Sequence, residues 1–247
     1  MAGETVSNSL TEYLPLYAQV KVLLVKRIGS GGWKPGQMLP SENELAVEYN
    51  VSQGTVRKAL IALEIDRMIV RRQGVGTFVA RHSSDKALYQ FFRMVGLDDG
   101  RLIPVSLVLS QRTQRATRDQ AAQLSVDYSA TLHAIARIRS LNGQPAIFER
   151  IFVPVSLMPN LVVESNSEMG DEMYVIYQER FGISIVHVTE RLCAVSATAE
   201  EAKRLGLSTG AALLEISRVA TDVSGRPVEL RISRCDTRRS RYAAEVL

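Results

Sequence analysis

Hydrophobic residues recur at helical spacing through the first eighty positions. Tyr17, Val20, Leu23, Leu24 and Ile28 share one face of a helix expected from Leu16 to about Ile28, and Gly29-Ser30-Gly31-Gly32 ends it. Ser41 is placed to N-cap a second helix, with Glu44 closing a capping box and Leu45, Ala46 and Tyr49 as its buried residues. Asn50 suits the left-handed position at a helix end. Past Val51, Ser52 caps a third helix, expected from about Gln53 to Arg67, with Val56, Ala59, Leu60 and Leu63 as its inner stripe. Two short helices joined so tightly predict a helix-turn-helix. Two β-prone runs, Ile69 to Arg72 and Thr77 to Val79, flank Gln73-Gly74-Val75-Gly76 and predict a hairpin, which would form a wing.

The pattern changes after the polar stretch Arg81 to Lys86. Alternating runs at Pro104 to Leu109, Leu132 to Ser140 and Ala146 to Val153 read as strands. Helical stretches fall around Thr117 to Leu124, Asp171 to Phe181 and Thr198 to Leu205, the last opening on a capping box. This mixture predicts an α+β domain. The expected organisation is an N-terminal tail over 1–14, a winged helix-turn-helix over 15–80, a linker over 81–88 and a second domain over 89–247. An internal echo joins Asn142-Gly143-Gln144-Pro145 to Ser224-Gly225-Arg226-Pro227; each connects an arginine-bearing strand to one carrying a glutamate, as two hairpins of one sheet would.

Composition narrows the class. The chain has 247 residues, 46% hydrophobic and 23% charged, with a net charge of +4, which suits a soluble globular protein and excludes a histone-like blanket of charge. Cys193 and Cys235 fit neither a disulfide framework nor a metal knuckle, so reduced thiols are expected. No run is long and apolar enough to span a bilayer, and residues 1–12 lack the basic-then-apolar pattern of a signal peptide. A cytoplasmic protein without metal, cofactor or membrane partner is expected.

The major groove admits one helix, whose first turns reach base edges. At the start of the third helix, Gln53 suits adenine, Arg57 suits guanine or phosphate, Thr55 suits a methyl group or phosphate, and Gly54 allows close approach. Arg71, Arg72 and the Gly74 to Gly76 tip suit a phosphate ridge or the minor groove. Taken singly, Arg57 and Lys58 would be ordinary solvated charges; the tight turn, the wing and the basic edge together point to DNA.

The runs Leu39 to Ala46, Val51 to Leu60 and Arg71 to Val79 resemble the N-terminal domain of the GntR family of bacterial regulators, over about residues 15 to 80. The resemblance implies that Asn43, Ser52, Gln53, Thr55, Arg57 and the wing tip Gln73, Gly74, Val75 and Gly76 meet double-stranded operator DNA, expected to be an inverted repeat. Family members often carry arginine where Asn43 and Gln53 stand; both replacements remove a charge and keep hydrogen-bonding groups. Ala136 to Arg139, Gly143-Gln144-Pro145, Glu149, Met173-Tyr174, Phe181-Gly182-Ile183 and Gly225 to Glu229 resemble the ligand-sensing UTRA domain of the HutC subfamily. That domain is similar in fold to chorismate lyase, with a mostly antiparallel sheet. The resemblance implies a homodimeric regulator, usually a repressor, whose operator affinity follows a small-molecule effector.

Carried over, Arg137, Arg139, Glu149, Tyr174 and Glu229 are the effector candidates: guanidiniums suit a carboxylate or phosphate, and carboxylates suit hydroxyl or amine groups. The alternative is a cross-strand Arg–Glu pair on a wet sheet face. A two-residue Asn142-Gly143 turn would pair Arg137 with Phe148 and put Glu149 on the opposite face. A three-residue Leu141-Asn142-Gly143 loop puts Glu149 with both arginines, and is expected. Sugar-phosphate-sensing members tend to carry serine where Glu172 stands, which favours a carboxylate- or amine-bearing metabolite here. Two rival functions remain: an enzyme of chorismate-lyase-like fold fused to a DNA-binding domain, and a ligand-independent DNA-binding dimer. The chain shows no G-x-S-x-G elbow, P-loop or paired metal-ligand spacing, and His82, His133 and His187 are scattered, which speaks against the enzyme.

Overall fold

The computed structural model describes residues 14–29, 31–66, 68–80, 91–163, 168–169 and 173–244. The expected tail and linker lie outside these, Leu14 apart. The chain divides between residues 81 and 82 into two compact units.

In the first unit, α1 (Leu16–Gly29), α2 (Glu42–Glu48) and α3 (Gln53–Ile65) precede a hairpin of β1 (Ile69–Arg72) and β2 (Gly76–Val79). Val20, Leu24 and Ile28 of α1 are buried, as are Val56, Ala59, Leu60 and Leu63 of α3. The α3 stripe is what the spacing predicts, whereas Tyr17 and Leu23, expected on the inner face of α1, are exposed, so the buried stripe of that helix is narrower than its spacing suggested. Asn50 takes φ 52° at the turn, and Ser41 and Ser52 cap their helices. Of the trio expected to bury on α2, Leu45 alone is fully buried; Ala46 and Tyr49 are half-buried. A helix of seven residues has too few turns to cover all three.

The second unit is built on a seven-stranded antiparallel sheet. Its strands are β4 (Pro104–Arg115), β5 (Thr131–Leu141), β6 (Gln144–Pro154), β7 (Glu168–Met169), β8 (Ile185–Ser196), β9 (Ala212–Asp222) and β10 (Pro227–Cys235), ordered β7-β4-β5-β6-β10-β9-β8. A small pair joins β3 (Met94–Gly96) to β11 (Ser240–Tyr242). Helices α4 (Arg118–Leu124), α5 (Met173–Phe181) and α6 (Ala199–Leu205) cover the sheet. Tyr174 and Tyr177 of α5 pack with Ile135 and Ile151 on one face. Ala202 and Leu205 of α6 pack with Ile138 and Phe148 on the other, and Leu124 of α4 with Ala134 and Phe152. β8 was not among the expected strands: it is an edge strand whose alternation, kept from Val186 to Glu190, is lost over the exposed run Arg191 to Ala194.

The two echoed hairpins, β5–β6 and β9–β10, lie side by side in this sheet. The expected three-residue loop is not formed. Leu141 pairs with Gln144 across a two-residue Asn142-Gly143 turn, with φ 50° and 75°. A β-bulge then intervenes: Ser140 pairs with Pro145 but Arg139 pairs with Ile147, leaving Ala146 extra. The bulge shifts the register by one residue, so Arg137 faces Glu149 and not Phe148. A bulge thus achieves the register shift that a three-residue loop was expected to provide. The second hairpin repeats the device, with Val228 extra between Pro227 and Glu229.

Candidate DNA-binding surface and buried charge network

The start of α3 is fixed by its cap. Ser52 Oγ accepts from the Thr55 amide at 3.1 Å and lies 2.8 Å from Thr55 Oγ1. Ser52, Gln53, Gly54, Arg57 and Lys58 are exposed, Thr55 is half-buried, and Asn43 is exposed on α2. At the wing, Arg72, Gln73, Gly74, Val75 and Gly76 are exposed. The Arg72 guanidinium lies over the Phe78 ring, 4.8 Å from its centroid. Gly76 takes φ 144°, and a Cβ there would stand 3.1 Å from Met38 Sδ, so the wing tip needs glycine.

Glu42, to which the sequence assigned no role, stands among these groups. Arg57 donates to its Oε2 through Nε and Nη2, each at 2.9 Å, and Gln53 Nε2 donates to the same oxygen at 3.4 Å. Arg71 Nη2 lies 3.4 Å from Oε1, while Arg71 Nε lies 3.5 Å from Glu64.

In the second unit all five predicted effector residues come together on one sheet face, and they are dry. Arg137, Arg139, Glu149, Tyr174 and Glu229 are each at most 4% exposed, so the alternative of an Arg–Glu pair on a wet sheet face does not hold. Arg137 Nε donates to Glu149 Oε2 at 2.6 Å, and Arg139 Nη1 to Oε1 at 3.4 Å. Ser233 Oγ donates to the same carboxylate at 3.0 Å. Arg231 links the two acids: it lies 3.8 Å from Glu149 and donates to both oxygens of Glu229, at 2.9 and 3.0 Å. Tyr174 and Tyr177 donate their hydroxyls to Glu229 at 3.2 and 2.8 Å. Arg218 donates to Glu190 at 2.7 Å, and Tyr242 donates to the other oxygen of Glu190.

Arg231, Arg218, Tyr177, Ser233 and Glu190 were not foreseen. For three of them a signal was present in the spacing: Arg231 and Ser233 follow Glu229 at a spacing of two on β10, and Tyr177 follows Tyr174 by three on a helix. Burial pushes the Glu149 carboxyl up, and the guanidiniums of Arg137, Arg139 and Arg231 more than reverse this, holding it well below the usual carboxylate range. Burial, then Glu229, pushes the Tyr174 hydroxyl up to about 12 and that of Tyr177 well above its ordinary value. Glu149 is therefore charged, and Tyr174 and Tyr177 are protonated, at neutral pH.

Among the described residues, the void against Arg139, Glu149, Arg218 and Ser233 is about 20 Å³, room for roughly one water. A larger hollow of about 560 Å³, lined by Leu141, Gln144, Leu205 and Arg238 among others, contains none of the five candidates. No helix among the described residues is long and apolar enough to cross a membrane. Glu172 lies outside the described residues.

Residues 16–79 match the family described as "Bacterial regulatory proteins, gntR family", and residues 101–241 match the UTRA domain. An Escherichia coli K12 relative, the "Probable fructoselysine utilization operon transcriptional repressor", is 30% identical over 220 residues, covering 87% of this chain and 88% of its own. The histidine utilization repressor of Pseudomonas putida is 30% identical over 207 residues, covering 83% and 81%. In fold, the chain is similar to the crystal structure of PhnF from Mycobacterium smegmatis, with a TM-score of 0.55, 24% identity and coverage of 92% of this chain and 99% of that one. With an exposed capped helix and wing in one unit and a ligand-binding domain type in the other, the chain belongs to the GntR family of bacterial transcription regulators, with a UTRA domain as its second unit.

Proposed function

We propose that the chain is a cytoplasmic, homodimeric repressor that docks α3 in the major groove of an inverted-repeat operator and loses affinity when an effector enters the buried charge network. The observation that carries this is the pairing of an exposed α3 start with a wing: Ser52, Gln53, Gly54, Thr55 and Arg57 present hydrogen-bonding groups without apolar cover. Asn43 on α2 and Arg71, Arg72, Gln73, Gly74 and Gly76 in the wing extend this surface toward phosphates.

Arg137, Arg139, Glu149, Tyr174 and Glu229 form the effector site in this reading. Guanidiniums take a carboxylate, and Glu149 or Glu229 takes an amine or hydroxyl. The two relatives are named for histidine and fructoselysine utilization, compounds that carry both carboxylate and amine groups, in line with that class. Among the described residues the void against Arg139 and Glu149 is about 20 Å³, too small for such a metabolite, so in this reading binding parts the Arg–Glu pairs or their cover. A ligand that prefers the parted state shifts the population toward it, which is what a sensor requires.

The experiment is a titration of operator duplex by the full chain across salt concentrations. The slope of log affinity against log salt is expected to be steep, about −0.9 per phosphate neutralised. A flat response contradicts docking through α3 and the wing.

A further inference from the structure

We propose that Glu42 is a positioning residue that sets operator discrimination: its carboxylate orients Arg57 and restrains Arg71 and Gln53 from indiscriminate phosphate contact. The inference rests on the reading that α3 and the wing bind DNA.

Glu42 gathers groups from two other elements, Arg57 and Gln53 of α3 and Arg71 of β1. Its oxygens divide the work, Oε2 taking Arg57 and Gln53 while Oε1 faces Arg71. Arginine has five N–H donors in a planar fork. Two contacts to one oxygen, through Nε and Nη2 at 2.9 Å, fix the plane of the Arg57 fork and leave its outer donors available. The Arg57 side chain is 54% exposed, whereas that of Glu42 is 20% exposed. The acid is thus tucked behind the arginine, and the arginine faces outward.

Two consequences favour discrimination. A long side chain already held in one plane loses less freedom on meeting a base edge, so a correctly placed partner is rewarded more. A carboxylate in a DNA-facing surface also weakens attraction to every phosphate alike, which suppresses sequence-independent binding. The pair is partly exposed and contributes little to stability, so its loss is expected to show in DNA binding before it shows in folding.

The test compares the full chain with its Glu42→Gln, Arg57→Ala and doubly substituted variants. Each is titrated with a duplex that the wild-type chain enriches from a random pool and with a scrambled duplex of equal length. Glu42→Gln is expected to bind the scrambled duplex several-fold tighter, with a salt slope steeper by about one. Its ratio of enriched to scrambled affinity is expected to fall about tenfold, the scale of one misplaced bidentate contact. In the Arg57→Ala background the added substitution leaves the ratio unchanged. A ratio within twofold of wild type, or an equal fall without Arg57, overturns the proposal. Should Glu42→Gln not fold, Glu42→Asp keeps the charge and withdraws it by one methylene; its ratio is expected to fall without a steeper slope, and an unchanged ratio again overturns the proposal. If the wild-type chain enriches no duplex, the DNA-binding reading itself fails.

Discussion

Arginine–carboxylate clusters occur in both units, on opposite sides of the solvent boundary. Around Glu42 the side chains are 20–54% exposed. Around Glu149 none exceeds 4%. The chemistry is the same and the energetics are not. An exposed pair contributes about 0–1 kcal/mol, so its members are free to exchange a protein partner for a phosphate or base. Removing one partner of a buried pair costs about 3–5 kcal/mol, because the remaining charge has no water to turn to. In the proposed reading the first cluster can therefore be altered with an effect on DNA binding and little effect on folding. The second belongs to the core, and only a ligand that replaces the lost contacts can open it.

The largest expected effect breaks the buried cluster. Glu149→Gln leaves the guanidiniums of Arg137, Arg139 and Arg231 around a neutral amide, and should lower the stability of the second unit by about 3–5 kcal/mol in urea unfolding. Wild-type-like unfolding would show that the network is not what holds β5, β6 and β10 together.

The acid limb sharpens the same contrast. The Glu149 carboxyl is held below its ordinary 4.5 in the folded state, so the folded protein binds fewer protons there than the unfolded chain. Its contribution is complete above the unfolded value and is lost as pH falls through the folded one. Stability of the second unit should decline progressively below about pH 5, and Glu149→Gln should flatten that decline. An equal acid slope in the variant would assign the decline to other carboxylates.

In the exposed cluster, Arg57→Ala should weaken operator binding by about 1–3 kcal/mol, near five- to 150-fold, with little change in melting. A matching fall in melting temperature would place Arg57 in the fold and not at the interface. The smallest effect is expected at Arg71, whose guanidinium is shared by Glu42 and Glu64. Arg71→Gln should change the salt slope by about one at most and leave sequence preference intact.

Legibility in the sequence followed the same boundary. The first unit could be read almost residue by residue, since caps at Ser41 and Ser52, the Asn50 turn and the α3 stripe are local signals. Glu42 was missed because its role depends on α3 and β1 meeting α2, which no spacing reports. In the second unit the five candidates were legible through resemblance, and the sharing of a face by Arg137 and Glu149 was anticipated. The route was not: Ala146 is a bulge that the turn residues do not announce. Arg218 and Glu190 became visible only when β9 and β8 took their places beside β10, through pairings distant in sequence. Burial itself was hidden, because charged residues in a strand pattern read as solvent-facing.

The central claim is that occupation of the buried cluster is felt at the exposed one. It is tested most directly by measuring operator affinity with and without an amine-bearing carboxylate metabolite found to raise the melting temperature of the full chain. The account predicts a loss of about five- to 150-fold in the wild type, the usual range of coupling between sites, and no loss in Arg139→Gln at the same concentration. A metabolite that stabilises the protein yet leaves operator affinity unchanged would contradict it.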